Sequence, residues 1–279
     1  MSATFWLLDA PDSLAVQSRG QPDGFGIGTF DDRRPEVDKG PIAAFRDELF
    51  AREAREECSR TYVAHLRFAS TGPVALANTH PFEQHGRLFA HNGVVWGLPE
   101  LEARLGDHRS LVQGATDSER FFALVTRETE RRDGDVEAGI RAAVEWAAET
   151  LPLYSLNCVL TTATDMWALR YPETNELWVL ERAGGAGELD EVGAAGTMRV
   201  RSGELARSPA VIVATERLDA DPGWRALAPG ELLHVPKTLA CASSSLLDHA
   251  PAHQLSLADL GERAAASQMA DRATPTTGA

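Results

Sequence analysis

Cysteine is scarce in this chain. Its 279 residues hold three, Cys58, Cys158 and Cys241, an odd number with no CxxC spacing. Neither a disulfide framework nor a zinc ribbon is indicated, and a reduced, cytoplasmic protein is expected. Lysine is scarcer still, with Lys39 and Lys237 alone, and 27 Lys plus Arg stand against 41 Asp plus Glu for a formal charge of -14. Proteins that grip phosphate backbones concentrate positive charge, so no nucleic-acid partner is expected. No apolar run approaches the ~20 residues that cross a bilayer, and the amino terminus lacks the order of a secretory signal. No membrane association is expected either. What remains is ordinary globular composition, 43% hydrophobic and 24% charged, at a length that suits one large domain or two small ones.

Periodicity is mixed along the chain, which predicts an α+β or layered α/β domain. Residues Ala3 to Gln17 carry helix-like apolar spacing, interrupted by Pro11, and Phe45 to Glu57 reads as a charged surface helix. Thr61 to Ser70 alternates strictly, placing Val63, His65 and Arg67 on one face of a strand. Arg87 to Ala90 reads as a short strand entering a turn at His91, Asn92 and Gly93, with Val94 to Trp96 resuming it. Two helices follow, one opening at Asp117 and one over about Val136 to Leu151 with an apolar stripe. After Pro152 short strands dominate: Leu156 to Thr161, Met166 to Tyr171, Glu176 to Glu181, Val211 to Thr215 and Glu231 to Val235. Strands at both ends with helices between suggest two sheets layered with helices. The Gly/Ala-rich Ala183 to Gly196 reads as a loose loop. Residues 1–239 are taken as the domain, and 240–279 as a weakly ordered Ala/Ser-rich tail with one helix near Leu257 to Ala266.

Four clusters hold chemistry-bearing residues: DGFGIG, HLRFASTG at His65 to Gly72, NTHPF followed by AHNG from Asn78 to Gly93, and ATDSE at Ala115 to Glu119. DGFGIG at Asp23 to Gly28 misses the GxGxxG dinucleotide fingerprint and reads as a tight strand entry. His65, His80, His85 and His91 crowd together, but their spacing matches no metal signature, and no metal site or other cofactor is predicted. AHNG offers a carboxamide and an unencumbered backbone N–H, the two donors of an oxyanion hole, although Asn-Gly alone reads first as a hairpin turn. Arg67 with Ser70, Thr71 and Gly72 could hold a small carboxylate, or make an ordinary salt bridge. Asp117 could grip an ammonium, or cap its helix.

Taken together and in order, DGFGIG, VAHLRFASTGPVALANTHPF, FAHNGVV and GATDSERFF resemble the glutaminase domain of class II glutamine amidotransferases, the amino-terminal-nucleophile type, in its small stand-alone form. The resemblance runs over about Asp23 to Phe122 and continues more weakly through SLNCVLTTA, PAVIVATE and PGELLHV. It implies a four-layer αββα sandwich and hydrolysis of a γ-glutamyl amide to glutamate and ammonia or an amine. By the same resemblance, Arg67 pairs with the substrate α-carboxylate, Ser70 and Thr71 add hydrogen bonds, Asn92 and the N–H of Gly93 form the oxyanion hole, and Asp117 binds the α-amino group. The implied ligand is glutamine or another γ-glutamyl small molecule, and the implied partner is a separate ammonia-using synthetase, or none for a plain amidohydrolase. No cofactor is implied.

The departure is at the nucleophile. The family attacks with a cysteine at the mature amino terminus, whereas this sequence opens Met1, Ser2, Ala3, Thr4, Phe5, Trp6. Two explanations stand: a first strand missing from this chain, or Ser2 as nucleophile after removal of Met1. Too few residues separate Ser2 from the apparent first helix for a strand of ~5 residues and a turn, which favours the missing strand. Either catalysis is lost in this chain, leaving a non-catalytic amino-acid-binding protein or subunit of a complex, or its complete form is the amidohydrolase. A missing strand further predicts an open sheet edge.

Overall fold

A computed structural model describes residues 4–9, 13–56, 59–185, 189–192, 199–202 and 208–269. Ser2, Pro11 and Cys58 lie outside these residues. Within them the chain folds as four layers, helix, sheet, sheet, helix, each contact between layers marked by its own apolar cluster.

After a short helical turn at Phe5–Asp9 and helix α1 (Leu14–Gln17), strands β1 (Gly24–Asp31) and β2 (Arg34–Gly40) form a hairpin. Helix α2 (Glu48–Glu56) and strand β3 (Val63–Arg67) follow, and a sheet of order β2-β1-β3 results. Phe25, Ile27 and Leu66 pack outward against Phe50 and Ala54 of α2. The opposite face of β1 carries Gly24, Gly26 and Gly28, because glycines two apart in a strand share a face. A Cβ at Gly26 would sit 2.0 Å from the His80 carbonyl oxygen, and one at Gly28 2.7 Å from Leu88. DGFGIG is thus a close-approach surface between sheets, its glycines admitting the His80–Pro81 segment beside His65 and Arg67, their cross-strand neighbours.

The second sheet is built from β4 (Phe82–Gln84), β5 (Arg87–Val95), β6 (Pro152–Thr161) and β7 (Asp165–Leu169), then β13 and β14 described below. The turn expected at His91 to Gly93 does not exist. β5 runs unbroken, with Asn92 opposite Asn157 and Gly93 opposite Leu156, and the register shifts only between Val94 and Val95. Glycine is needed at 93 because a Cβ there would lie 1.9 Å from the Ser155 carbonyl oxygen, not because the chain reverses. Helices α3 (Leu98–Leu105), α4 (Asp117–Glu130) and α5 (Val136–Thr150) cover the outer face, burying Phe121, Phe122, Ile140 and Val144 against Phe89, Leu153 and Leu156. Thr116, rather than Asp117, caps α4, its hydroxyl accepting from the Glu119 N–H at 3.2 Å.

Strands β8 (Trp178–Arg182), β9 (Leu189–Val192), β10 (Arg199–Ser202), β11 (Ala210–Ala214), β12 (Arg225–Ala226) and β13 (Glu231–Pro236) complete the middle of the chain. β9 and β10 pair, so the segment expected as a loose loop contributes to a hairpin in its described part. A third sheet of order β11-β8-β12 lies over β7 and β13 through Val179, Leu233 and Val235. Residues 240–269 of the segment expected as a weakly ordered tail are placed against the domain: β14 (Ala242–Ser245) pairs with β13, β15 (His253–Gln254) with β6, and helix α6 (Glu262–Met269) packs Ala264 and Ala265 beside Val94 and Tyr154, while residues 270–279 lie outside the described ones. Small side chains were the reason for the expectation, yet they are what allows this close packing.

β3 pairs only with β1, and β11 only with β8, among the described residues. Both free edges border one cavity of about 820 Å³, lined without a gap by residues 59–68 and by residues 208–216. A sheet face would present alternate residues, so a continuous run marks a strand edge. Among the described residues, then, β3 and β11 each leave one edge without a neighbouring strand, and the two edges share one space.

Candidate functional site

The cavity lies between the layers and gathers residues from β3, β5 and β6, the start of α4, and α6. Arg67 reaches it from the end of β3. Its Nη2 donates to the Thr71 carbonyl at 3.0 Å, while Nη1 is buried with no hydrogen-bond partner. The side chain is only 4% exposed, and that desolvation lowers its pKa. A guanidinium so buried with an idle donor is costly unless an anion arrives to meet it.

Ser70, Thr71, Asn92 and Gly93 line the same cavity, so five of the six expected site residues converge there. Asp117 does not reach its wall. It is buried behind Thr71, accepting from the Thr71 hydroxyl at 2.9 Å and from the Val95 N–H at 2.8 Å. A carboxylate oxygen has a further lone pair, so those bonds do not exhaust it, but in this arrangement Asp117 fixes the Arg67–Thr71 loop to β5.

Three residues to which the sequence assigned no site role support this loop and strand. Asn78 ties two loops together, donating to the Pro73 carbonyl at 3.0 Å and accepting from the Ala115 N–H at 2.7 Å. Its place within NTHPF was its only signal. Ser118 and Ser155 hold His91: Nε2 donates to the Ser155 carbonyl at 3.1 Å, so Nδ1 accepts from the Ser118 hydroxyl at 2.9 Å. Burial lowers the His91 pKa, consistent with that neutral tautomer. The ring lies beneath Gly93 and stiffens the strand that bears Asn92.

The crowded histidines divide. His85 faces outward and pairs with Glu130. His65 and His80 meet in the gap between sheets with ring centroids 4.1 Å apart and planes tilted by 35°, and neither ring nitrogen of His80 has a partner. Desolvation pushes His65 down to about 4 and His80 well below its usual value. Among the described residues no group of three or more His, Cys, Asp or Glu is arranged to hold a metal ion. Nor is an activated thiol present among them: burial pushes Cys158 up to about 12 and Cys241 to about 11. No described helix is long and apolar enough to cross a membrane.

Known proteins share this architecture. The solved structure of a glutamine aminotransferase class-II domain protein from Silicibacter pomeroyi superposes with a TM-score of 0.57 at 20% identity, covering 81% of this chain and 92% of that one. In sequence, YafJ of Escherichia coli, named as a glutamine amidotransferase, is 32% identical over 75% of this chain and 80% of its own length. The γ-glutamyl-hercynylcysteine sulfoxide hydrolase of Mycobacterium tuberculosis is 34% identical over 32% of this chain and 42% of its own. The fold these neighbours represent is that of the amino-terminal-nucleophile hydrolases. The family profile described as glutamine amidotransferases class-II matches residues 13–255, which span every element of the cavity except α6 and the turn at Phe5–Asp9, and the chain therefore belongs to the class-II glutamine amidotransferases.

Proposed function

We propose that this chain binds a γ-glutamyl compound by its free amino-acid end and, when supplied with a nucleophile, hydrolyses the γ-amide to glutamate and ammonia or an amine. The observation that carries the reading is Arg67, a buried guanidinium on the cavity wall with Nη1 unpartnered. Arg67 holds the α-carboxylate, with Ser70 and Thr71 adding bonds. Asp117, shifted from Thr71, meets the α-amino group. Asn92 and the Gly93 N–H stabilise charge developing on the amide oxygen. The amine or ammonia freed passes to solvent or to a separate synthetase.

The nucleophile is proposed to enter on a strand between β3 and β11. A strand residue in a packed sheet fills about 160 Å³, given ~3.3 Å rise, ~4.8 Å strand spacing and ~10 Å sheet spacing. At that figure a three-residue segment of strand takes about 480 Å³, leaving part of the cavity of about 820 Å³ for the ligand. Its insertion joins two three-stranded sheets into one. The second reading is a non-catalytic binding protein, in which Cys158 and Cys241, both held as thiols by burial, serve only in packing.

Calorimetry with L-glutamate tests the pocket. The protein is expected to bind it, and Arg67→Lys to weaken binding at least tenfold, since an ammonium cannot reproduce a two-pronged contact. Equal affinity of the two proteins would remove Arg67 from the site. Glutamate release from glutamine by the parent and by Ser2→Ala then tests the Ser2 route: activity lost with Ser2 identifies that hydroxyl as nucleophile, and equal rates eliminate it.

A further inference from the structure

We propose that helix α6 forms the closing wall of the γ-glutamyl pocket and that Gln268 is a specificity-determining residue within it, donating a carboxamide N–H to a ligand oxygen. The proposal rests on the pocket reading above and extends it to a part of the chain beyond residues 13–255, which the family profile matches.

Two residues of α6, Ser267 and Gln268, line the cavity that also holds Arg67 and Asn92. Gln268 is 5% exposed, an unusual burial for a carboxamide in the last turn of a short helix. Its orientation is fixed by its partners. Oε1 accepts from Asn175 Nδ2 at 2.8 Å, which leaves Nε2 as the donor end, and Nε2 gives one hydrogen to Ser267 Oγ at 3.2 Å. A carboxamide has two N–H donors, so one remains for the cavity. Asn175 in turn accepts through its carbonyl from Asn157 Nδ2 at 3.2 Å, and Asn157 is the register partner of Asn92. This polar chain sets Gln268 against the strand bearing the oxyanion donors.

The other end of α6 holds the carboxylate side. Arg263 donates through Nε to the Ala69 carbonyl at 2.8 Å and through Nη2 to Asp23 at 3.0 Å, and the same Asp23 oxygen accepts from the Ala69 N–H at 2.9 Å. Ala69 sits between Arg67 and Ser70. Five residues of helix span about 7.5 Å, so α6 bridges the two ends of a site sized for an amino acid. The bridge closes the pocket and adds a donor that the sequence motifs do not contain.

Titrating L-glutamate into the full-length protein tests this. Gln268→Glu retains the acceptor for Asn175 but places an anionic oxygen where the donor was. Binding at neutral pH is expected to weaken at least tenfold and to recover as pH falls toward 5, because the burial of position 268 raises the introduced carboxyl above the ordinary ~4.3 and its protonated form donates again. Gln268→Leu is expected to weaken binding without that pH recovery. Unchanged affinity in Gln268→Glu and Gln268→Leu, with Arg67→Lys still weakened, would overturn the role of Gln268 and leave the pocket reading intact. Failure of the parent to bind L-glutamate would overturn both. Thermal melts of each variant guard against misfolding: a variant weakened in affinity with an unshifted melt supports the proposal, and one whose affinity falls only in proportion to its melting temperature counts against it.

Discussion

Lowering the pH from 7 to 5 should destabilise this protein through its buried histidines. His65 faces His80, His91 and Arg67, and His80 also faces Lys39, so a proton placed on either ring meets like charge as well as lost hydration. Only His91 is offered a compensating carboxylate, Asp117. The folded pKa of His65 is about 4 against 6.5 for an unperturbed imidazole. Between those values the unfolded chain binds more protons than the native one, so stability falls as pH falls. Each pKa unit is worth about 1.36 kcal/mol, which makes the loss from His65 about 2 kcal/mol at pH 5 and about 3 kcal/mol once pH passes below 4. His80 adds in the same direction. Most carboxylates stay ionised above pH 5, so the window from 7 to 5 isolates the imidazoles. Urea denaturation followed by tryptophan fluorescence, at pH 7, 6 and 5, should show the parent losing at least about 2 kcal/mol across the window. His65→Gln should flatten that slope by about 2 kcal/mol. A parent whose stability is level or rises on acidification, or a variant with the parental slope, would refute the reasoning.

Two further outcomes follow from geometry. Gly93→Ala places a Cβ 1.9 Å from the Ser155 carbonyl oxygen, within a paired strand that cannot yield without breaking register. It should cost about 1–3 kcal/mol by denaturant titration and abolish L-glutamate binding, and a variant with parental stability would show that the β5–β6 spacing is wrong. Cys158, buried with its thiol pushed up to about 12, should resist iodoacetamide at pH 8 in the native protein and react once urea unfolds it. Rapid native labelling of Cys158 would make it a candidate nucleophile after all.

Much of the site was legible because its residues are local in sequence. Arg67, Ser70 and Thr71 lie within five positions, and the alternation of β3 sets Arg67 on the same face as His65. The motif order, which carries the family resemblance, did the rest. Asn92 and Gly93 were legible as donors but not as strand residues, because Asn-Gly has the same local preference in a hairpin and here is overridden by nine paired residues of β5. Asp117 was legible as a helix-start acid, but only the packing of α4 shows its carboxylate already engaged with Thr71 and Val95.

By itself, then, the sequence determined the layered α+β class, the family and which residues are candidates to meet a carboxylate and an oxyanion, since these depend on residue type, alternation and short spacing. Tertiary structure alone decided what depends on distant segments meeting. The glycines of β1 take their meaning from His80 across the gap between sheets. The two open edges face each other only because residues 59–68 and 208–216 border one cavity. And Arg263 reaches Asp23 across 240 positions of chain, bringing α6 to the pocket for a reason no local pattern encodes: the partner that satisfies its guanidinium lies at the other end of the sequence.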